Sequence, residues 1–329
     1  MSYTRFSTHV FEMRNPLPDH GEELIHIMHD DEARSDVPAD SATQYLAAVS
    51  AGTVKAKRKG LPVGAWIAIG WMTILILAAI LAPVLPIPDP INDANPLKAA
   101  QGPTLNLIFG LDGNGRDVFS RIIWGARNSL FIAIAAVFSG LLLGGALGLI
   151  SGYFKGRIGG VLGALTDILL AFPQLVLALA VVSFLGRTVF NVTMALAIVS
   201  IPILARITRA SALSWSERDF VTAARAQGAG HVRTMTREVL PNVLPAMLSI
   251  SLLGVAVVIV AEASLSLVGA GVKPDVTTWG NVIFSGQPYL RNSPTMVLFP
   301  SMIIFFTVYS LNYLGDVLRA TFDVRESAL

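Results

Sequence analysis

The sequence predicts an all-α membrane protein with six transmembrane helices, and two observations support this: its composition and the spacing of its charges. Apolar residues make up 53% of the chain and charged residues 14%, a balance too apolar for an ordinary soluble domain. The charged residues leave six long uncharged runs: 61–88, 128–154, 168–186, 188–205, 239–261 and 292–315. Each run is close to or above the roughly 20 residues that an α-helix needs to cross a bilayer core, whereas about 10–14 apolar residues are usual in a buried soluble helix.

These runs define one transmembrane domain over residues 61–329. Its predicted spans are residues 63–84, 129–151, 165–185, 189–206, 244–266 and 295–314, with a polar segment, the central loop (residues 207–243), between the fourth and fifth. Gly140 and Gly144 have the spacing that lets helix backbones approach closely in lipid. Pro173 predicts a kink in the third span, and Pro202 predicts an interruption of the fourth.

Residues 1–60 are predicted to form a cytoplasmic, largely disordered tail. Residues 1–53 carry nine acidic residues against three arginines, and such a charged, apolar-poor segment cannot bury a core. The tail lacks the short basic start and small-residue cleavage site of a signal peptide, so we expect the first span to be retained. A basic cluster directly precedes that span: Lys55, Lys57, Arg58 and Lys59.

The distribution of basic residues predicts that both ends of the chain are cytoplasmic. With six spans, 17 of the 24 lysines and arginines fall on the side of the N-terminus and seven on the other. Because basic residues are enriched in cytoplasmic loops, the central loop is also expected to lie in the cytoplasm, and residues 89–127 outside.

The external segment 89–127 is expected to contain a turn followed by a helix that lies along the membrane surface before it enters the second span. The helix is predicted to start at Asp117. Asp112, Asn114 and Asp117 also suggest a calcium loop, but an arginine occupies a position that needs an oxygen ligand and the spacing is not that of an EF-hand. A turn and a helix cap are therefore favoured.

Glu262 lies near the far end of the fifth span, where a carboxylate is costly in lipid, by about 2.5–3.5 kcal/mol at mid-membrane on insertion scales. It is expected to face a pathway, a partner subunit or the membrane interface, or to make a structural hydrogen bond to a neighbouring helix. The sequence alone does not separate these alternatives.

The central loop has a helix–glycine–helix pattern that suits a compact knob. Gly228 and Gly230 are expected to end a first helix, and a second helix is expected from about His231 to Leu240. The small side chains of the first helix would let its backbone seat closely in a cleft of another protein.

The spacing in this loop resembles the EAA loop of binding-protein-dependent ABC importers. The matching positions are Thr222, Ala223, Ala224, Gly228, Glu238, Leu240 and Pro241. Thr222 replaces the glutamate of that motif, and Glu238 replaces an apolar residue. The resemblance implies that these residues, together with Asp219, dock into a groove of a cytoplasmic ATPase and transmit its closure to the pore.

Further strings resemble the C-type permeases for dipeptides, oligopeptides and nickel. They include GLDGNGRDVFSRIIWGARNSL at 110–130, AFP at 171–173, EASLSLVGAGV at 262–272 and WGN at 279–281. The resemblance implies the type I ABC importer permease fold in a bacterial inner membrane. It implies as partners a second homologous permease, two ATPase subunits or domains that carry ATP and Mg²⁺, an external substrate-binding protein and membrane lipid, but no nucleic acid.

Two further groups of residues are assigned by position in this framework. The translocation pathway is assigned to Asp167, Phe172, Pro173 and Glu262. Contact with the external binding protein is assigned to Asp112, Arg116, Asp117, Trp279 and Asn281.

Peptide import is the favoured function, with nickel or another small solute as the alternative cargo. The chain has no G-x-x-x-x-G-K-[ST] phosphate loop and no cysteine, so we expect no ATPase chemistry, no metal site and no bound cofactor of its own. An ion-coupled secondary transporter using Asp167 or Glu262 would be expected to show inverted repeats, and none is evident. An intramembrane enzyme is disfavoured because no H-E-x-x-H motif is present.

Overall fold

The computed structural model describes residues 61–105 and 107–326, and this part of the chain is almost entirely helical. Its α-helices are α1 Val63–Leu81, α2 Val118–Tyr153, α3 Arg157–Leu170, α4 Gln174–Leu185, α5 Val189–Ser216, α6 Asp219–Ala226, α7 His231–Thr234, α8 Leu240–Leu267, α9 Trp279–Gly286 and α10 Thr295–Glu326. The described residues contain no β-strand beyond two isolated bridges. The predicted all-α fold is confirmed, whereas the tail at residues 1–60 lies outside the described residues.

Five helical segments are long and apolar enough to cross a membrane, and a bent pair makes a sixth. The five are α1, α2, α5, the run His231–Leu267 that includes α8, and α10. The bent pair is α3 and α4, whose axes differ by 83°. This agrees with the prediction of a six-span membrane protein if the bent pair is one span.

The third span is broken more sharply than a kink. α3 ends at Leu170 and α4 begins directly after Pro173, which has φ −58° and ψ 123°. Proline has no backbone N–H and disfavours helical geometry in the residue before it, so the chain turns there. Pro202, in contrast, lies inside α5 without ending it, and the predicted interruption of the fourth span was wrong.

The fold is centred on the close packing of α2 against α5. A Cβ added at Gly144 would collide with the backbone oxygen of Ile201, and one added at Gly148 would collide with that of Ala205. Glycine at these positions therefore lets the two helices approach at backbone distance, as the spacing in the second span predicts.

The predicted surface helix before the second span is absent from the described structure. Residues 118–127 are instead the first turns of α2, a continuous helix of 36 residues that is about 54 Å long at 1.5 Å per residue. Its predicted start is confirmed, because the Asp117 side chain caps it and accepts a hydrogen bond of 2.8 Å from the Ser120 N–H.

Candidate functional site

The central loop forms a knob of short helices between α5 and α8. α5 extends to Ser216, so the knob itself begins later than the sequence predicts. α6 carries Asp219 in its first turn, where a carboxylate interacts favourably with the helix dipole. Gly228 follows α6 with φ +86°, a left-handed conformation that only glycine adopts without strain. The predicted first helix and its glycine end are both present.

The second helix of the knob is continuous with the fifth span. α7 begins at His231 as predicted, but a π-helical turn over Met235–Val239 joins it directly to α8. The predicted end at Leu240 was wrong because Pro241 lies in the first turn of α8, where a missing N–H is tolerated. No loop therefore separates the second helix of the knob from α8.

Apolar side chains fix the knob to the ends of three long helices. Val221 of α6 and Val239 of the π-helical turn are fully buried. They belong to one cluster with Leu149, Tyr153, Ala212, Val243 and Met247. Burial of an aliphatic side chain of this size is worth roughly 1.5–3 kcal/mol, so these contacts hold the knob in one position.

Polar contacts add a second attachment around Tyr153, the last residue of α2. The Tyr153 hydroxyl lies 3.2 Å from Nδ1 of His231. The guanidinium of Arg225 lies 4.8 Å from the centroid of the Tyr153 ring, within the range of cation–π attraction. Lys155 and Glu217 form an ion pair with an N–O distance of 2.5 Å, but both side chains are exposed, and such pairs contribute little.

The face of α6 opposite Val221 is exposed. Asp219, Thr222 and Ala223 lie on this face and are open to solvent, as is Gly228 beyond the helix. Ala224 is partly buried. Most of the predicted motif residues of α6 therefore point away from the helix bundle and are accessible to another protein.

The remaining motif residues lie beside this face. Glu238 and Leu240 are partly buried and Pro241 is exposed. Asp219 and Glu238, which are 19 positions apart in the chain, line one open groove of about 490 Å³. Its lining residues are Trp215, Arg218, Asp219, Phe220, Arg237, Glu238 and Asn242. The mixed charges and the aromatic rings of this lining suit protein docking, and the lining residues include no nucleophile paired with a base.

The residues assigned to the pathway do not come together. Asp167, Phe172 and Pro173 are exposed at and before the break between α3 and α4. Asp167 lies 3.9 Å from Arg206, and both side chains are more than half exposed, so this pair is weak.

Glu262 is only 1% exposed and lies in a polar cluster apart from Asp167. Its Oε1 accepts hydrogen bonds from Thr278 Oγ1 at 2.9 Å and from Ser266 Oγ at 3.0 Å. Glu262 is therefore hydrogen-bonded within the structure, although neither partner belongs to a neighbouring helix. The partners are Ser266 on the same helix and Thr278 in the segment before α9.

An open groove that sequence reasoning missed lies between α4, α5 and α8. It has a volume of about 330 Å³ and is mostly apolar, with polar side chains from Gln174, Ser200 and Ser264. The only signal in the sequence is that these polar residues lie inside predicted spans. Their side chains converge only once the break at Pro173 has placed α4 against α5 and α8.

Asp112, one of the residues assigned to an external contact, forms a buried ion pair with Arg121. Asp112 is 1% exposed, and its Oδ2 lies 2.6 Å from NH1 of Arg121, which is 2% exposed. The other oxygen of Asp112 accepts backbone N–H groups of Asn114 and Arg116. Arg121 also donates to Ser285 Oγ at 2.7 Å, which connects α2 to α9. Sequence reasoning missed Arg121.

Trp279 and Asn281 are also internal. The indole N–H of Trp279 donates to the carbonyl of Ile122 at 3.0 Å, and the amide of Asn281 donates to the carbonyls of Val272 and Val276. Asp112, Trp279 and Asn281 are therefore buried in this structure, and their polar atoms form hydrogen bonds with other buried groups.

Of the residues assigned to contact with the external binding protein, Arg116 and Asp117 are partly exposed. Burial raises the pKa of the Asp117 carboxyl, while hydrogen bonds from the backbone N–H groups of Ser120 and Phe119 oppose this shift. Among the described residues, no group of three or more histidines and carboxylates could hold a metal ion.

Comparison with known proteins adds independent findings. The protein family described as "Binding-protein-dependent transport system inner membrane component" matches residues 144–327. The dipeptide transport system permease protein DppC of Alkalihalophilus pseudofirmus is 37% identical over 252 residues, which cover 77% of this chain and 83% of the relative. The glutathione transport system permease protein GsiD of Pectobacterium atrosepticum is 36% identical over 223 residues, covering 68% and 74%.

A solved structure supports the fold. The MetNI methionine ABC transporter in inward-facing conformations matches with a TM-score of 0.53 and 18% identity, covering 61% of this chain and 95% of that chain. At this level of identity, the likeness concerns the fold alone.

Proposed function

Because the chain belongs to the family of binding-protein-dependent transport system inner membrane components, we propose that it forms half of the translocation pathway of an ATP-driven peptide importer. The resemblance to C-type permeases predicted from the sequence is confirmed by the curated relatives. The chain is a permease subunit and not an enzyme, and it is a multi-pass protein of the bacterial inner membrane.

The observation that carries this proposal is that one face of α6 is exposed while the knob is packed against the helix bundle. Asp219, Thr222, Ala223 and Gly228 are accessible, while Val221 is buried against the bundle. This combination suits force transmission, since one face is free for a partner and the other is packed onto the spans. The proposed partner is the ATPase, which would carry ATP and Mg²⁺.

Closure of two ATPase subunits would draw the knobs of two homologous permeases together. Each knob is continuous with α8 through the turn at Met235–Val239 and contacts the end of α2 at Tyr153. The movement would therefore pass to both helices, so that the cavity between the permeases opens outward to receive substrate. ATP hydrolysis would reset the pair.

The proposed pathway surface is the groove between α4, α5 and α8. Its few polar side chains, Gln174, Ser200 and Ser264, would offer hydrogen bonds without holding a charged group tightly. Asp167, Phe172 and Pro173 remain proposed contributors near its entrance, since Pro173 directly precedes Gln174. Glu262 would act by holding the segment before α9.

The proposed orientation places both termini and the knob in the cytoplasm, as the distribution of basic residues suggests. An external substrate-binding protein would approach from the side of residues 89–117, where Arg116 and Asp117 are partly exposed. The domain of residues 61–329 would carry all of these functions, and the acidic tail of residues 1–60 would lie in the cytoplasm.

Dipeptides or oligopeptides are the proposed cargo, because relatives named as dipeptide and di/tripeptide permeases match over 77% of the chain. A strain that lacks this gene should lose uptake of radiolabelled dipeptides and regain it on complementation. Nickel and glutathione uptake, measured in the same strains, should remain unchanged. If complementation restored nickel or glutathione uptake but not dipeptide uptake, the assignment of peptides as cargo would be wrong.

The absence of cysteine permits a clean test of orientation. Cysteine placed at Leu97, an exposed residue, should react with an impermeant maleimide in intact cells. Cysteine placed at Arg157, also exposed, should react only after the membrane is permeabilised. The reverse pattern would contradict the proposed orientation.

A further inference from the structure

A pocket of about 270 Å³ lies where the knob meets the ends of α2 and α5. Four parts of the chain form its walls: the end of α2 with the two residues after it, the end of α5, α6 and the start of α7. Contacts around Tyr153 hold the knob to α2, but the space between these walls has no role in the proposed transport cycle. The lining residues are Tyr153, Phe154, Lys155, Ser216, Arg225 and His231.

The lining of this pocket carries basic side chains and no carboxylate. Glu217, which follows Ser216 in the chain, pairs with Lys155 outside the lining, and both side chains of this pair are more than half exposed. Exposed pairs contribute little to stability, so Lys155 can exchange this partner for a ligand. The positive charge of the other basic residues has no counterpart in the lining.

Arg225 is the strongest donor of the pocket, and its N–H groups are left without an acceptor. Within residues 61–105 and 107–326, its guanidinium forms no ion pair and no side-chain hydrogen bond. The guanidinium instead lies 4.8 Å from the ring centroid of Tyr153, which is only 4% exposed. This contact holds the guanidinium at the pocket wall and uses none of its five N–H donors, two of which can bind one carboxylate or phosphate together.

His231 supplies a second donor whose position is fixed. Its ring lies 5.9 Å from the ring of Tyr153 and 5.6 Å from that of Phe154, measured between centroids. Its Nδ1 lies 3.2 Å from the Tyr153 hydroxyl. When this hydroxyl donates to Nδ1, the neutral imidazole carries its proton on Nε2, which can then donate to a ligand. Ser216 adds no donor, because its hydroxyl donates to the carbonyl of Leu213 at 2.9 Å.

Donors from three separate parts of the chain favour a phosphoryl group over a carboxylate. A carboxylate has two oxygens, which one guanidinium can satisfy alone. A phosphoryl group offers three strong acceptor oxygens and about two negative charges near neutral pH, so it can accept from Arg225, His231 and Lys155 together. The pocket is slightly smaller than the usual range of small-molecule sites, but these three side chains are exposed, so a group attached to the phosphoryl can project into solvent.

We propose that this pocket binds a phosphoryl group, either as free phosphate or as part of a nucleotide. Arg225 makes the bidentate contact, while Nε2 of His231 and the ammonium of Lys155 donate to the remaining oxygens. Since these residues belong to α6, α7 and the segment directly after α2, the ligand holds the knob to the end of that span. The ligand is a regulator of the permease and not its cargo.

The test is equilibrium dialysis of the purified complete transporter against radiolabelled phosphate. Phosphate bound by the ATPase subunits is common to all variants, so the difference between variants reports this pocket. The test variant is Arg225→Gln, which removes the charge of an exposed side chain. The matched control is Arg233→Gln, since Arg233 is an exposed arginine of α7 that does not line the pocket. Lys155→Gln is a second test variant, which keeps the experiment decisive if Arg225→Gln fails to assemble.

We expect Arg225→Gln to weaken phosphate binding at one site per copy of this chain by at least about tenfold, since it removes a charge-assisted bidentate contact. Lys155→Gln should also weaken binding, and Arg233→Gln should bind phosphate as the wild type does. Displacement of phosphate by a lower concentration of AMP identifies a nucleotide as the ligand, and a weaker effect of AMP identifies free phosphate. Wild-type phosphate binding by both test variants overturns the proposal, and so does acetate that competes as well as unlabelled phosphate.

Discussion

The hydroxyl of Tyr153 lies 3.2 Å from Nδ1 of His231, so the last residue of α2 contacts the first residue of α7. The same tyrosine ring lies beneath the guanidinium of Arg225 from α6. One side chain therefore joins the end of a long span to both short helices of the knob. Since the knob is proposed to receive force from an ATPase, Tyr153 is a point at which that force can enter α2.

Tyr153→Phe should reduce ATP-dependent uptake by up to about tenfold, because a hydrogen bond is worth roughly 0.5–1.5 kcal/mol. The phenyl ring still meets Arg225, so the knob should stay seated and the protein should reach wild-type amounts. The measurement is the initial rate of dipeptide uptake together with ATP hydrolysis by the complex. Tyr309→Phe, which changes an exposed tyrosine of α10 outside the knob and its contacts, is the control. Uptake that is unchanged in Tyr153→Phe and in Tyr153→Leu would show that this contact carries no force.

Arg121→Ala should destabilise the permease by about 3–5 kcal/mol, because it leaves the buried carboxylate of Asp112 without its partner. Arg127→Ala provides the comparison, since Arg127 is exposed on the same helix. Thermal unfolding of the purified complex is the readout. The double variant Asp112→Asn with Arg121→Met should recover much of the loss, because it removes both charges while the amide oxygen still accepts the N–H groups of Asn114 and Arg116. If Arg121→Ala matched Arg127→Ala in unfolding temperature, the ion pair would not support the fold.

Glu262→Gln should retain most of the stability and uptake, because the amide oxygen can still accept the hydrogen bonds from Thr278 and Ser266. Glu262→Leu should be unstable, since it leaves both hydroxyls without their acceptor. Protein yield and dipeptide uptake distinguish these outcomes. Normal folding of Glu262→Gln with complete loss of uptake would assign the carboxylate charge to transport instead of structure.

Val257→Trp should block uptake while the complex still assembles. Val257 lines the groove between α4, α5 and α8 and is exposed, so an indole there fills the proposed pathway without disturbing the core. Ile134→Trp, at an exposed position of α2 that does not line the groove, is the matched control. Equal uptake by the two variants would move the pathway elsewhere.

The spans and the knob were predictable from the sequence because both depend on local features. Uncharged runs of membrane length predict the spans directly. The proline at position 173 and the glycines after α6 affect the backbone conformation only of residues close to them in the chain. The continuity of α2 was missed because the first turns of this helix include Arg121, whose charge suggests a surface position. Its partner Asp112 lies nine residues away, beyond the range of a helical pattern.

The pathway groove and the buried polar residues depend on contacts that one sequence does not display. Ser200 and Gln174 line the same groove, and the 83° bend between α3 and α4 that places them there is not evident from the sequence. Asn281 and Trp279 belong to strings that resemble a family signature, and this favoured an exposed role for them. Their side chains instead satisfy carbonyl groups of distant segments. The string around these two residues therefore did not distinguish a surface contact from a buried support.

The most direct test of the coupling account is ATP-dependent dipeptide uptake by Gly228→Trp. Gly228 has φ +86° with no neighbouring atom within 4 Å of an added Cβ, so tryptophan would strain the turn and project from the proposed docking face. Gly70→Trp in α1, where an added Cβ also meets open space, is the control for insertion. We predict wild-type amounts of both proteins in the membrane, with uptake lost in Gly228→Trp alone. Normal uptake by Gly228→Trp would contradict docking of this knob to an ATPase.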